Sequence, residues 1–397
     1  MKKKKSTYYV TAVMIFAVFV ITFLMGYKMS GVPKGDYEWH ILQAEKLKYG
    51  LLYASRELGY PLGMYHVLMF FTMNLGIPAR IAAAFISACA GTMVYLLVLI
   101  YYKKICGCNI KNSLYYTLIG VLLLIVTPLY IPSYNKELYL GQGAPNTWHN
   151  PTNLMVKPFA VLAFVLFLLI IREVNAKKSN IFMIMFFSII LCISCFAKAS
   201  LVQFFLPGVG VYLGLEMLKN RNNCLAIKSY LAIGCSMIPA FLFILFQAYE
   251  IFDKTSSNHI MIAPFKVVKY YAPSCFVSLL LAIGLPLLIT ICWRDVLKKA
   301  HVKLAWILLF SGYMEWILLA EEGPRLYHCN FIWGYNLALF LLYMCMMGVL
   351  AEKVMLYMKN RSTVEQKKIL VTCILGAIQI IDGIYYYLYL LTTAKQC

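Results

Sequence analysis

Apolar runs about 20 residues long, separated by short polar or basic stretches, recur down almost the whole chain. Thr7–Gly26 (TYYVTAVMIFAVFVITFLMG) carries no charge, and as a helix it would extend roughly 30 Å, the thickness of a bilayer's hydrocarbon core. Similar runs lie near 7–27, 80–102, 113–132, 153–171, 179–197, 199–217, 228–249, 272–292, 303–320, 328–350 and 369–391, which makes eleven expected spans. In lipid every backbone polar group must find a partner inside the protein, so runs of this length are expected to be helices. The expected fold is therefore an all-α, polytopic transmembrane bundle forming one integral-membrane domain, 1–397. Composition excludes an ordinary soluble domain: 62% of residues are hydrophobic and only 13% charged, against about 25% charged in globular domains.

The opening MKKKK before Thr7–Gly26 has the outline of a secretory signal, but the run is too long and no cleavage site follows, so it is read as a retained span with cytoplasmic lysines. Most of the thirteen cysteines fall inside apolar runs, where free cysteine acts as a small hydrophobe. Cys106 and Cys108 form CGC on a basic loop, a weak zinc or redox signal. The net charge of +20 does not point to nucleic acid, because the basic residues cluster between apolar runs.

One further apolar stretch, Leu62–Ile77, decides the orientation. If it stays on the outer side as an interfacial helix, the inner side holds 22 Lys and Arg against 5 acids, and the outer side 14 against 9 (22 + 14 = 36; 5 + 9, with Glu315 and Asp382 inside spans, gives 16). If it crossed, every later basic loop would move outside, against the positive-inside rule. The expected placement is thus a multi-pass plasma-membrane protein of bacterial type with a cytoplasmic N-terminus. The outer face then receives loops 28–79 and 133–152, the stretch Glu250–Tyr271 and segment 321–331, where most of the histidines lie.

Four groups of residues on that side carry candidate chemistry. In GDYEWH, Asp36 and His40 are four apart and share a helical face; Asp36 is either an N-cap or a base able to accept a hydroxyl proton. In NTWHNPTN, Asn146, Trp148, His149 and Asn150 form a donor and acceptor patch beside an aromatic surface, or a hydrogen-bonded turn. Lys157 either snorkels from the next span or meets a phosphate. In EEGPRLYHCNF, Glu322, Arg325 and His328 offer a planar fork for phosphate, or a salt-bridged turn with Glu321. Glu315 and Asp382, costly in hydrocarbon, are read as packing groups that pair with Lys198 or polar neighbours. No Walker loop, Rossmann fingerprint, HExxH or GxSxG occurs, and no metal or cofactor is expected.

GDYEWH just after the first span, YPLGMYHVLMF as an interfacial helix and GIPARIAAAFISACAGTMVYLLVLIYYKK opening on an arginine together resemble the GT-C superfamily of membrane glycosyltransferases. The resemblance covers 7–153 as an ordered N-terminal module; 153–397 supplies the remaining helices. It implies transfer of a sugar from a polyprenyl-phosphate carrier to a glycan or lipid-linked acceptor on the outer face, with Asp36 as the base. The second acidic residue usual in that family's next outer loop maps only onto Glu137. Two rival classes predict different weights: a transporter or flippase of lipid or glycan would depend on Glu315 and Asp382, and a polysaccharide polymerase or ligase would take a diphosphate donor.

Overall fold

The computed structural model describes residues 2–108, 113–135, 137, 139–178, 180–252 and 259–393. The chain runs α1 (Lys2–Met29), α2 (Asp36–Glu45), α3 (Leu51–Leu58), α4 (Met64–Asn74), α5 (Ala79–Lys104), α6 (Ser113–Ile125), α7 (Pro151–Asn175), α8 (Ile181–Ala197), α9 (Ser200–Lys219), α10 (Cys224–Ser236) and α11 (Ile238–Gln247). After a π-turn, Ala248–Phe252, come β1 (Ile260–Ile262), α12 (Lys266–Tyr271), α13 (Cys275–Cys292), α14 (Ala300–Leu318), β2 (Leu319–Glu321), α15 (Ile332–Lys359) and α16 (Thr363–Thr392). The two three-residue strands pair antiparallel, Met261 opposite Ala320, and are the strands among the described residues.

Among the described residues eight helices are long and apolar enough to cross a membrane: Tyr8–Met29, α5, α7, α9, the continuous Cys224–Phe252, α13, α15 and α16. The other three expected spans are helices of 13 (α6), 17 (α8) and 19 residues (α14). The stretch read as an interfacial helix is α4, whose 11 residues extend about 16 Å, too short to cross alone.

Burial divides the helices by role. Every residue from Ile332 to Ala351 of α15 is buried, as is most of α7, so these two form the centre of the bundle. The outward faces of α1 and α16 expose Phe16, Leu24, Ile378 and Ile381, as expected of helices whose solvent is lipid.

α6 stops at Ile125 although its apolar run continues to residue 132. Pro128 disfavours helical geometry at Thr127, and the chain becomes irregular. Its backbone is satisfied by other helices: Thr127 N–H donates to the Gln379 carbonyl (3.3 Å), Leu129 N–H to the Leu281 carbonyl (3.4 Å), and Tyr130 N–H to the Asp382 carboxylate (3.3 Å). Asp382 thus supports a broken helix. Gly383 allows the contact, since a β-carbon there would lie 1.9 Å from the Ile125 carbonyl oxygen. Among the described residues the pairing of the buried acids with Lys198 is not formed: Lys198 bonds elsewhere, and neither Glu315 carboxylate oxygen has a hydrogen-bond partner there.

Candidate functional site

At one end of the bundle α1 and α8 finish, α7, α9 and α15 begin, and α2–α4 fold over the top. These ends enclose a cavity of about 990 Å³. Its wall draws on all four polar segments singled out in the sequence, with Asp36 and His40, Asn150 and Thr152, Tyr249 and His259, and Glu321, Arg325 and His328, and on Lys198.

Asp36 is the first residue of α2; the N-cap is Gly35, without a side-chain cap. Glu38 instead accepts from the Lys34 backbone N–H, which leaves the Asp36 carboxylate for tertiary contacts. Asn150 Nδ2 donates to Asp36 Oδ2 at 2.8 Å. The asparagine's orientation is overdetermined, because its Oδ1 accepts from Asn153 N–H (2.8 Å) as the N-cap of α7, from Thr152 Oγ1 (2.9 Å) and from Lys198 Nζ (3.2 Å). Three donors on Oδ1 force Nδ2 toward the carboxylate. Lys198 Nζ also donates to Thr152 Oγ1 at 3.1 Å and lies 4.3 Å above the Trp333 ring. A carboxylate and an ammonium are thereby bridged by one amide.

Lys198 forms no ion pair with a carboxylate among the described residues, whereas Arg325 Nε is 3.3 Å from Glu321, which also accepts from Asn330 at 2.6 Å. Arg325 is therefore already compensated and Lys34, also on the wall, is exposed to solvent, so Lys198 is the partly buried cation left to meet an anion. Burial pushes the Lys198 ammonium down to about 7, against the opposing pull of Asp36. The desolvated site favours the neutral amine unless an anion restores the charge.

The other sequence candidates divide. His40 lines the cavity and bonds His66 through Nδ1 at 2.9 Å. His149 does not line it; buried behind the wall, it packs 4.5 Å from Tyr139 and 5.9 Å from Trp333 (ring centroids) and bonds the Tyr386 hydroxyl at 3.3 Å. Burial, and then Lys198, lower its basicity, while Asp36 opposes them. Glu322 is exposed and outside the wall.

Asn146, Trp148 and Lys157 belong to a separate sealed patch. Asn146 Nδ2 donates to the carbonyls of Leu123 (2.8 Å) and Val126 (3.0 Å), closing the end of α6, and its Oδ1 accepts from Lys157 Nζ at 3.0 Å. Lys157 does not snorkel: its ammonium is buried over the Phe340 ring at 4.7 Å. Proximity in NTWHNPTN therefore conceals two destinations.

The wall residues that sequence reasoning left out are chiefly Lys198, His66 and Trp333. Lys198 had a legible signal, being the one charged residue between 179 and 215. His66 and Trp333 had none beyond their side of the chain. No group of three or more His, Cys, Asp or Glu able to hold a metal occurs among the described residues. No protein-family profile matches the chain, and no curated protein matches it.

Proposed function

We propose that this chain is an integral-membrane glycosyltransferase of the GT-C kind, with eleven crossings, a cytoplasmic N-terminus and its cavity at the outer leaflet. The proposed donor is a sugar on a polyprenyl phosphate, and the acceptor a hydroxyl of a cell-surface glycan or lipid-linked saccharide. The observation that carries the reading is the Asp36–Asn150–Lys198 bridge on the wall of a cavity large enough for a glycosyl phosphate and an acceptor. A base and an uncompensated cation joined through one asparagine side chain suit a displacement in which negative charge moves from acceptor to leaving group.

In this reaction the acceptor oxygen attacks the anomeric carbon as Asp36 takes its proton. The bond from the anomeric carbon to the phosphate oxygen breaks, inverting the centre, and polyprenyl phosphate leaves with the electron pair. Lys198, rather than the sealed Lys157, offsets the charge on the departing phosphate. Arg325 and His328, also on the cavity wall, face substrate. The apolar part of the wall, with Leu58, Phe196, Leu245 and Phe252, suits the first prenyl units. The 22-to-14 split of basic residues supports the orientation.

The test is turnover by purified protein in nanodiscs offered polyprenyl-monophosphate sugars and a glycan acceptor. Release of polyprenyl phosphate together with a glycosylated acceptor is the expected result. Turnover confined to diphosphate-linked saccharides would replace this reading with a ligase, and substrate flux into vesicles without bond cleavage would replace it with a transporter.

A further inference from the structure

Two histidines 26 residues apart meet at the cavity wall, and their hydrogen bonds fix where each carries its proton. The Gly63 backbone N–H donates to His66 Nδ1 at 3.1 Å. A ring nitrogen that accepts a hydrogen bond carries no proton, so a neutral His66 carries its proton on Nε2. That Nε2 lies 2.9 Å from His40 Nδ1, which must then be the acceptor. The proton of His40 is left on Nε2, and His40 lines the cavity.

We infer that His66 locks His40 in the Nε2-protonated tautomer, making His40 a standing hydrogen-bond donor to a substrate oxygen, a sugar hydroxyl or a phosphoryl oxygen, and barring it from acting as a base.

The surroundings hold both rings neutral. The His40 ring is packed by Trp39, Tyr60, Tyr65 and His66, with centroids 4.8 to 6.1 Å away. Burial depresses its basicity well below the ordinary imidazole range, and His66 and Lys198 add to the effect. Burial lowers His66 to about 3, and Lys198 adds to the effect. The carboxylates on the same wall are both engaged: Asp36, one turn before His40 on α2, by Asn150, and Glu321 by Arg325 and Asn330. Gly63 is placed by a close approach: a β-carbon there would lie 2.0 Å from the Phe196 carbonyl oxygen. The end of α8, two residues before Lys198, therefore sets the start of α4 and with it the tautomer. His66 is a positioning residue that acts through His40. The donor role stands without any reaction; the exclusion of His40 as base rests on the glycosyl-transfer reading.

The test is nitrogen-15 NMR of histidine-labelled protein in nanodiscs, with resonances assigned through His40→Gln and His66→Gln. At pH 7 both rings should be neutral and protonated on Nε2, and a short-chain polyprenyl-phosphate sugar should shift the His40 Nε2 signal. His66→Leu should weaken binding of that probe roughly three- to tenfold, the worth of one hydrogen bond, and His66→Gln, which keeps a donating amide, should restore it. His40 protonated on Nδ1, a doubly protonated His40, or unchanged probe affinity in His66→Leu would overturn the inference. If His66→Leu does not fold, the tautomers of the unmodified protein decide alone. The tautomer readout needs neither turnover nor the probe, so a failed glycosyl-transfer assay leaves it intact.

Discussion

Two lysine–asparagine pairs lie close together in the fold, and only one opens on the cavity. Lys157 donates to Asn146 at 3.0 Å and sits over Phe340; Lys198 donates to Asn150 at 3.2 Å and sits over Trp333. The local chemistry is nearly the same. The surroundings differ, because the first pair borders a void of about 20 Å³ and the second a cavity of about 990 Å³. Asn146 spends its amide on the carbonyls at the end of α6, and Asn150 spends its amide on Asp36. Hydrogen bonding alone therefore does not mark a functional lysine. What marks it is an open volume beside it and a carboxylate linked to it through one side chain.

The largest expected effect that separates the pairs is on binding. Lys198→Met should weaken a polyprenyl-phosphate sugar about 10- to 100-fold, in line with the ~1.5–3 kcal/mol of a charge-assisted hydrogen bond, as read by titration in nanodiscs. Folding should hardly change, because Asn150 Oδ1 keeps the Asn153 N–H and the Thr152 hydroxyl. Equal affinity in the variant would remove Lys198 from the site. Lys157→Met should do the reverse. It leaves Asn146 Oδ1 buried without a donor, a loss of about 1–3 kcal/mol visible as a lower melting temperature, with probe affinity retained.

A smaller effect is expected from pH. Without a bound anion the Lys198 ammonium loses its proton near 7, because burial disfavours the charge, and the cation is the form that binds an anion. Affinity for a phosphodiester donor, whose own charge is constant here, should fall as pH rises through 7, by about fivefold between pH 7 and 8. A flat profile across that interval would mean that Lys198 does not meet the phosphate. The smallest effect should come from Asp382→Asn, since an amide oxygen still accepts the Tyr130 N–H. Stability should shift by less than about 1 kcal/mol and turnover should persist. Loss of turnover there would mean that Asp382 does more than hold the broken end of α6.

Much of the architecture was legible because it follows from apolar run length and loop charge. Each expected span has a helix at its position, and Asp36 and His40 share a helical face as their spacing of four requires. The early end of α6 was written in Pro128 but hidden by the hydropathy of the residues after it. The cavity wall was legible only in part, since its decisive bonds join residues far apart in sequence: Asn150 to Asp36, and His66 to His40. Asn146 and Asn150 are four residues apart in one loop, and no local pattern tells which turns to the core. Lys198 was assigned to the buried acids because a lone lysine in an apolar stretch invites a carboxylate partner. The fold gives it an amide, a hydroxyl and an indole face instead.

The most direct measurement compares the unmodified protein with Asp36→Asn in one nanodisc preparation, reading donor affinity and glycosyl transfer side by side. Affinity should be nearly unchanged, and transfer should fall by about 100-fold or more, the usual worth of a general base. Transfer at the unmodified rate by a well-folded Asp36→Asn protein would contradict the account.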